Sequence, residues 1–266
     1  MNTKRKLGAI RTAMLAGICA LSSNPASAQP GNEDKIIAGE TAVVAGSEIS
    51  TWARVNNVGV VTQVGLTMPL ALVENMPPEG SGPAGAIAVL NFPAVVKATT
   101  YFDHAEIHSE PNGHPNNPGY AQANRYLVPH FDFHFYGIPV SQVLPIPFGF
   151  FSDQASEDRL PKFYAQPEPL SVPQMGRHAA LMSEFTATDH WLGTMIAGFL
   201  PDASYMNFIE PMLTRELLLQ RKSFVIQAPK PATLGRATRY PSECVVLYDK
   251  DTDAYQFTFT GFHPVQ

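Results

Sequence analysis

The strongest chemical signal in the sequence is an alternating segment over residues 129–136, PHFDFHFY. A β-strand directs successive side chains to opposite faces, so His130, Asp132, His134 and Tyr136 share one face and the three phenylalanines share the other. Two imidazoles, a carboxylate and a phenol on one face suit the binding of a divalent metal ion or the transfer of protons. An ordinary solvent-exposed face more often carries a mixture of Lys, Thr, Glu and Ser.

Strand geometry limits which of these side chains can share one ion. Same-face positions lie about 6.6 Å apart at i and i+2, and about 13 Å apart at i and i+4. A flat strand therefore cannot bring His130 and His134 to the same metal. Either Asp132 joins one of them, or a bulge or bend lets both histidines converge. The remaining ligands must come from other strands.

Three further segments offer such ligands. His178 follows a flexible glycine, and Glu210 ends an apolar run where a carboxylate needs a partner or water. We expect His130, His134, His178 and Glu210 to bind metal, with His114 as an additional ligand or pocket residue. Each of these three segments, taken alone, is also typical of a surface residue. Asp132 and Tyr136 are the predicted catalytic residues, which would move a proton.

The same motifs resemble a family of secreted bacterial proteins that is classified as a domain of unknown function. The resemblance covers residues 104–262, about 60% of the chain. The matching motifs are Gly-His-Pro at 113–115, the strand at 130–136, Met-Gly-Arg-His at 175–178 and Ile-Glu-Pro-Met at 209–212.

This resemblance implies a β-rich fold and no particular reaction. The shared residues that it implies are His114, His130, Asp132, His134, His178 and Glu210. The family follows the histidine that matches His178 with an aromatic residue, whereas this chain has Ala179. The wall of the pocket is therefore expected to differ here.

The elements that must position these residues are predicted to be short strands. The chain contains 24 prolines, which disfavour long helices, and its apolar runs are brief and separated by turn residues. The predicted fold is mainly β, a single antiparallel sandwich or barrel with one or two short helices.

Individual elements follow from the same signals. Hairpins are predicted from 52–55 and 58–68, from 191–200 and 205–209, and from 244–249 and 254–262. A strand is predicted over 95–107, and helices are predicted over 70–74 and 212–221.

The N-terminus has the three parts of a secretory signal peptide. Four basic residues precede an apolar run at 13–21, and Ala26-Ser27-Ala28 supplies the small residues that signal peptidase needs. A membrane span needs about 20 apolar residues, so cleavage after Ala28 should leave no anchor. We expect a signal peptide at 1–28, a loose arm at 29–50 and a single β-rich domain at 51–266, located in the periplasm or secreted.

Charge and motifs exclude several functions. Cleavage removes four positive charges and changes the formal net charge from -5 to -9, which disfavours nucleic acid and anionic membranes as partners. The mature chain keeps one cysteine, Cys244, which we expect to be buried and unreactive. The sequence has no phosphate-binding glycine loop, no Gly-x-Ser-x-Gly elbow and no His-Glu-x-x-His helix.

Two classes of function remain. The first is an exported metal-dependent hydrolase, lyase or isomerase that acts on a small organic molecule, with zinc favoured over manganese, iron or nickel. The second is a non-catalytic protein, either a β-fold that binds a small ligand or an envelope protein that forms a homo-oligomer through its sheet edges.

Overall fold

Short elements run through the whole of the computed structural model, which describes residues 34–77, 85–115, 121–122, 124–167 and 169–266. The strands are β1 (Lys35–Val44), β2 (Ser47–Val55), β3 (Val61–Pro69), β4 (Gly85–Asn91), β5 (His104–Glu110), β6 (His130–Tyr136), β7 (Gly149–Phe150), β8 (Tyr164–Ala165), β9 (Leu170–Ser171), β10 (Arg177–Leu181), β11 (Gly193–Phe199), β12 (Met206–Thr214), β13 (Phe224–Gln227), β14 (Thr238–Tyr240), β15 (Glu243–Asp249), β16 (Ala254–Thr260) and β17 (His263–Val265). The helices are α1 (Leu70–Glu74), α2 (Ala94–Thr99), α3 (Val140–Val143), α4 (Met182–Thr186) and α5 (Arg215–Leu219).

Two large antiparallel sheets pack face to face. One sheet has the order β1-β2-β3-β16-β15-β13, and the other has the order β4-β5-β6-β12-β11-β10-β8. The phenylalanines of β6 join them: the rings of Phe133 and Phe257 are 4.1 Å apart, and those of Phe135 and Phe259 are 4.6 Å apart. The prediction of a mainly β, antiparallel fold is confirmed, and the arrangement is a sandwich rather than a closed barrel.

The predicted hairpins form, with local interactions that explain them. Strand β2 pairs with β3, β11 with β12, and β15 with β16. In the first turn the Asn56 side chain accepts hydrogen bonds from the backbone N–H groups of Val58 and Val60, at 3.2 and 2.8 Å. An asparagine that bonds to nearby backbone in this way favours a turn.

The N-terminal part of the domain differs from the prediction. The arm expected at 29–50 is wrong from Lys35 onward, because β1 and the start of β2 form an antiparallel pair there. Backbone pairing and the Glu40 carboxylate, which accepts hydrogen bonds from Asn91 at 2.8 and 2.9 Å, hold this exposed strand. Residues 29–33 and the predicted signal peptide lie outside the described residues. No helix in the described part of the chain is both long enough and apolar enough to span a membrane.

Helix content was underestimated, since the described residues contain five short helices. Helix α1 forms as predicted, but residues 95–99 of the predicted strand over 95–107 belong to helix α2 instead. The helix predicted over 212–221 is also shorter, because residues 212–214 belong to β12 and only α5 is helical. Thr214 starts α5 by accepting a hydrogen bond from the backbone N–H of Leu217 at 3.1 Å.

A second apolar cluster covers the outer face of the seven-stranded sheet. It includes Tyr126, Ile138, Trp191, Phe208 and Met212. Every residue of β5, β6 and β12 is consequently buried, on both faces of the sheet. The polar face of β6 is therefore an interior surface.

Candidate metal centre

The alternation of β6 places its residues as predicted. Phe131, Phe133 and Phe135 belong to the core between the two sheets, and the polar residues occupy the other face. Strand β5 repeats the pattern, because Ala105 and Ile107 face the same core. The polar residues of β5 are His104, Glu106, His108 and Glu110.

The register of β5 and β6 sets each acid opposite an imidazole. Glu106 lies opposite His134, Asp132 opposite His108, and Glu110 opposite His130. Acid and imidazole thus alternate across the strand pair, and all six of these side chains belong to buried residues. Strand β5 lies inside the sheet, between β4 and β6.

Glu210 reaches the same face from β12. Ile209 pairs with Phe135 and Met212 with Asp132, so the register between these pairs puts Glu210 opposite His134. Pro211 follows it and has no backbone N–H to give to the ladder.

His178 approaches from β10, which β11 separates from β12. Its neighbour across the ladder is Gly198, and a Cβ atom added to Gly198 would lie 2.0 Å from the Phe208 ring. The glycine thus allows that ring to lie between the two histidines, at 5.0 Å from the ring of His134 and 5.3 Å from that of His178.

The first group of ligands consists of His114, His130 and Asp132. Asp132 Oδ1 lies 3.2 Å from His130 Nε2, and Asp132 Oδ2 lies 3.6 Å from His114 Nε2. Gly113 turns the loop toward β6 with φ +62°, and its Cα approaches the Tyr126 carbonyl so closely that an added Cβ would lie 2.1 Å from that oxygen.

In both imidazoles of the first group, the nitrogen that does not face Asp132 makes a hydrogen bond to a backbone carbonyl. His130 Nδ1 donates to the Val128 carbonyl at 2.7 Å, and His114 Nδ1 donates to the Pro115 carbonyl at 3.2 Å. Metal-ligating histidines are usually fixed by such a bond. In their neutral form, both rings therefore direct the Nε2 lone pair toward Asp132.

The second group consists of His134, His178 and Glu210. His134 Nε2 is 3.6 Å from Glu210 Oε1, and His178 Nε2 is 3.9 Å from Glu210 Oε2. Among the described residues, no hydrogen-bond partner exists for either nitrogen of His134 or for Glu210 Oε2, although all three atoms are buried. Unpartnered buried polar atoms are costly, and a cation between His134 Nε2 and the Glu210 carboxylate would satisfy those two groups.

The distances fit an ion better than they fit hydrogen bonds. Ligands placed tetrahedrally at about 2.1 Å from zinc are about 3.4 Å from one another. Most N···O separations in the two groups are near this value and too long for good hydrogen bonds. Either group could therefore hold a metal ion. Of the two alternatives that the strand spacing left open, the structure has the first: Asp132 joins His130, and His134 belongs to a different group.

Burial prepares the second group for a cation. It lowers the pKa of His134 well below its ordinary value, and burial together with the nearby His114 lowers the pKa of His178 to about 4. Both rings are thus neutral near pH 7, which is the form that binds metal. Burial and the charge of Asp132 raise the pKa of the Glu210 carboxyl.

The Asp132 carboxylate behaves differently. Burial alone would raise its pKa, but the adjacent imidazoles of His114 and His130, when they are protonated, hold it well below the usual range. Asp132 is therefore ionised at neutral pH. It was predicted to be catalytic, and its geometry places it among the ligands of the first group.

Other predicted residues have clear structural partners. The Tyr136 hydroxyl donates to the Gln174 carbonyl at 2.9 Å and lies outside both groups; burial also raises its pKa well above the ordinary value. Cys244 is fully buried in the core, as predicted, and burial raises the pKa of its thiol.

Glu110 is the buried acid that sequence reasoning missed. Its side chain faces His130, and burial together with the charge of Asp132 raises its pKa. The signal available in the sequence was the second alternating run, HAEIHSE at 104–110.

Comparison of the chain with protein-family models, with curated proteins and with solved structures finds no match.

Proposed function

We propose that this is an exported metal-dependent enzyme that acts on a small organic substrate by hydrolysis, elimination or isomerisation. The observation that carries the proposal is the buried His134 imidazole, which faces Glu210 and His178 and whose two nitrogens have no partner in the described part of the chain. Two imidazoles and one carboxylate are a donor set of catalytic zinc sites, so zinc is favoured over manganese, iron or nickel. The resemblance to secreted bacterial proteins and the signal-like N-terminus support export.

A divalent ion in such a site lowers the pKa of a bound water and polarises a carbonyl or phosphoryl oxygen. The side chains of His114 and His178 are 38% and 21% exposed. Both ligand groups are therefore open to solvent at these two histidines. The substrate would enter between them. Trp191, which contacts the ring of His130 at 5.3 Å, and Phe208 provide an aromatic wall.

An adjacent cavity suits the apolar part of such a substrate. It has a volume of about 360 Å³ and is lined by Val128, Pro129, Trp191 and Leu219 among others. Trp191 lines this cavity and also contacts the first group of ligands. A small organic molecule fits that space.

We assign proton transfer to the Glu110 carboxyl. It is 7% exposed, belongs to neither ligand group and has a raised pKa, as is common for catalytic acids. Tyr136 is a weaker candidate because its hydroxyl proton is bound to the Gln174 carbonyl.

Metal analysis and activity test the proposal together. The protein, loaded with zinc and freed of excess by gel filtration, should retain metal, and Asp132→Asn and Glu210→Gln should each lose one ion. Chelation should abolish hydrolysis of model esters, phosphoesters or amides, and zinc should restore it. Absence of retained metal contradicts the proposal, whereas metal without turnover of any substrate class favours the non-catalytic ligand-binding alternative.

A further inference from the structure

The cavity beside Trp191 has a lining in which every charged side chain already has a partner. Besides its apolar residues, the lining contains His190, Thr214, Arg215 and Glu216. The Arg215 guanidinium donates to two backbone carbonyls of α1 at 2.8 and 2.9 Å. His190 Nε2 lies 2.8 Å from Glu216 Oε2 in an exposed pair. The opposite charges of Arg215 and Glu216 offset each other, so the cavity suits an uncharged molecule.

Trp191 supplies the buried hydrogen-bond donor of this lining that is still free to bind a ligand. The residue is 3% exposed, and its Nε1 atom is buried and has no acceptor within the described ranges. The Thr214 hydroxyl, by contrast, donates to the Leu192 carbonyl and accepts from the backbone N–H of Leu217, both at 3.1 Å. A buried indole N–H usually has an acceptor, and an oxygen atom of a bound molecule would provide one.

The Trp191 indole is fixed beside the first group of ligands. Its ring lies 4.6 Å from that of Tyr126 and 5.3 Å from that of His130, with interplanar angles of 54° and 84°. A molecule that accepts a hydrogen bond from Trp191 therefore lies close to His130, which belongs to that group. The cavity and the first group share this side chain as a common wall.

We propose that the cavity binds a neutral molecule that combines an aromatic or branched apolar group with a carbonyl oxygen, and that Trp191 Nε1–H donates to this oxygen. Apolar walls with a single polar group that fixes orientation are typical of small-molecule sites. The inference rests on the proposed function in one respect, that this molecule is the substrate. The substrate class is then an uncharged carboxylic ester or amide, in which the carbonyl lies beside the first group.

Three probes of similar size test the chemistry: acetophenone carries a carbonyl, ethylbenzene carries no oxygen and benzoate carries a charge. The full-length protein is titrated with each probe in the presence of a chelator, and its indole N–H signals are followed by proton–nitrogen correlation NMR. The chain has two tryptophans, so Trp52→Phe assigns both signals. Trp52 is the built-in control, because its Nε1 already donates to Thr67 Oγ1 at 3.1 Å on the other sheet.

We expect acetophenone to shift the Trp191 signal downfield and to leave the Trp52 signal in place. Benzoate should bind at least about tenfold more weakly, because its charge has no partner in the cavity. Trp191→Phe keeps an aromatic ring and removes the donor. It should weaken acetophenone by about fivefold and leave ethylbenzene unchanged, as measured by ligand-observed NMR.

A matched pair of substitutions on α5 locates the binding site. Leu219 lines the cavity, whereas Leu217 is on the same helix and packs partly buried against the main core. Leu219→Trp should fill the space and abolish binding of both acetophenone and ethylbenzene. Leu217→Trp adds the same bulk elsewhere and should leave both affinities unchanged.

The outcomes separate this inference from the proposed function, because every titration uses metal-free protein. An unmoved Trp191 signal, benzoate that binds as tightly as acetophenone, or binding that survives Leu219→Trp overturns the inference, whatever the metal analysis finds. A Trp191 shift that requires the carbonyl and is lost in Leu219→Trp supports it. The same result in a protein that retains no metal overturns the proposed function alone.

Discussion

Glu210 faces His134 across the β12–β6 pair with 3.6 Å between Oε1 and Nε2, and no hydrogen bond joins them. Both side chains are almost fully buried. The pair is too far apart for a good hydrogen bond and at a suitable distance to share an ion. This relationship underlies the expected behaviour of the two faces of β6.

Substitutions on the two faces should have unequal effects on the metal-free protein. Phe133→Ala removes a fully buried ring that packs on Phe257, and it should lower the free energy of unfolding by about 3–5 kcal/mol. His134→Leu keeps a side chain of similar size and removes two buried nitrogens that have no partner among the described residues, so it should cost less than about 1 kcal/mol.

Denaturant unfolding with a chelator present measures both effects, and zinc should stabilise Phe133→Ala but give a smaller gain to His134→Leu. Equal destabilisation by the two substitutions would show that His134 is a structural core residue.

The pH dependence of stability should contain a contribution from His178. Its pKa is about 4 in the folded chain, against about 6.5 in an unfolded chain. As pH falls from 6.5 to 4, the unfolded chain binds a proton that the folded chain does not bind, so the metal-free protein loses stability over this window and not below it.

The loss due to His178 should reach up to about 3 kcal/mol, reduced by the exposure of a fifth of its side chain. The measurement is the free energy of unfolding of wild type and of His178→Gln, each at a series of pH values with a chelator. The variant should show a flatter profile between pH 6.5 and 4, and parallel profiles would contradict the prediction.

Tyr136→Phe tests whether this phenol supports the fold or moves a proton. The loss of its hydrogen bond to the Gln174 carbonyl should cost about 1 kcal/mol of stability and leave the metal content and the pH profile of turnover unchanged. A shift of that profile with unchanged stability would restore the catalytic role predicted from the sequence.

Export predicts a defined N-terminus. The mature protein recovered from the periplasm or medium should begin at Gln29, which intact mass can establish. Ala28→Asp, which replaces the small residue before the cleavage point, should leave the precursor uncleaved. An exported chain that retains Met1 would contradict the prediction.

The alternation of β6 could be read from the sequence because a period of two fixes the faces of a strand whatever surrounds it. The same rule kept His130 and His134 apart only for a flat strand, and it left open a bend that would let them converge. The sequence does not show which strands are neighbours. The assignment of His114 and His178 to two different groups depends on a turn at Gly113 and on the Phe208 ring, which lies over Gly198.

Errors arose where local signals competed with tertiary pairing. Strand β1 is held by its backbone pairing and by the hydrogen bond between Glu40 and the distant Asn91. The composition of the strand reveals neither of these contacts. Residues 94–99 are rich in β-branched residues, yet they form a helix after Pro93, so tertiary context overrode propensity. Glu110 was missed because its burial depends on β5 lying between β4 and β6, which the sequence does not show.

Anomalous diffraction from zinc-soaked crystals tests the central claim most directly, because it locates the ions themselves. We predict a strong peak at the zinc edge about 2.0–2.2 Å from His134 Nε2 and from a Glu210 carboxylate oxygen, with His178 as the third protein ligand, and no such peak in Glu210→Gln. A wild-type map at full zinc occupancy elsewhere with no peak between these three residues would contradict the account.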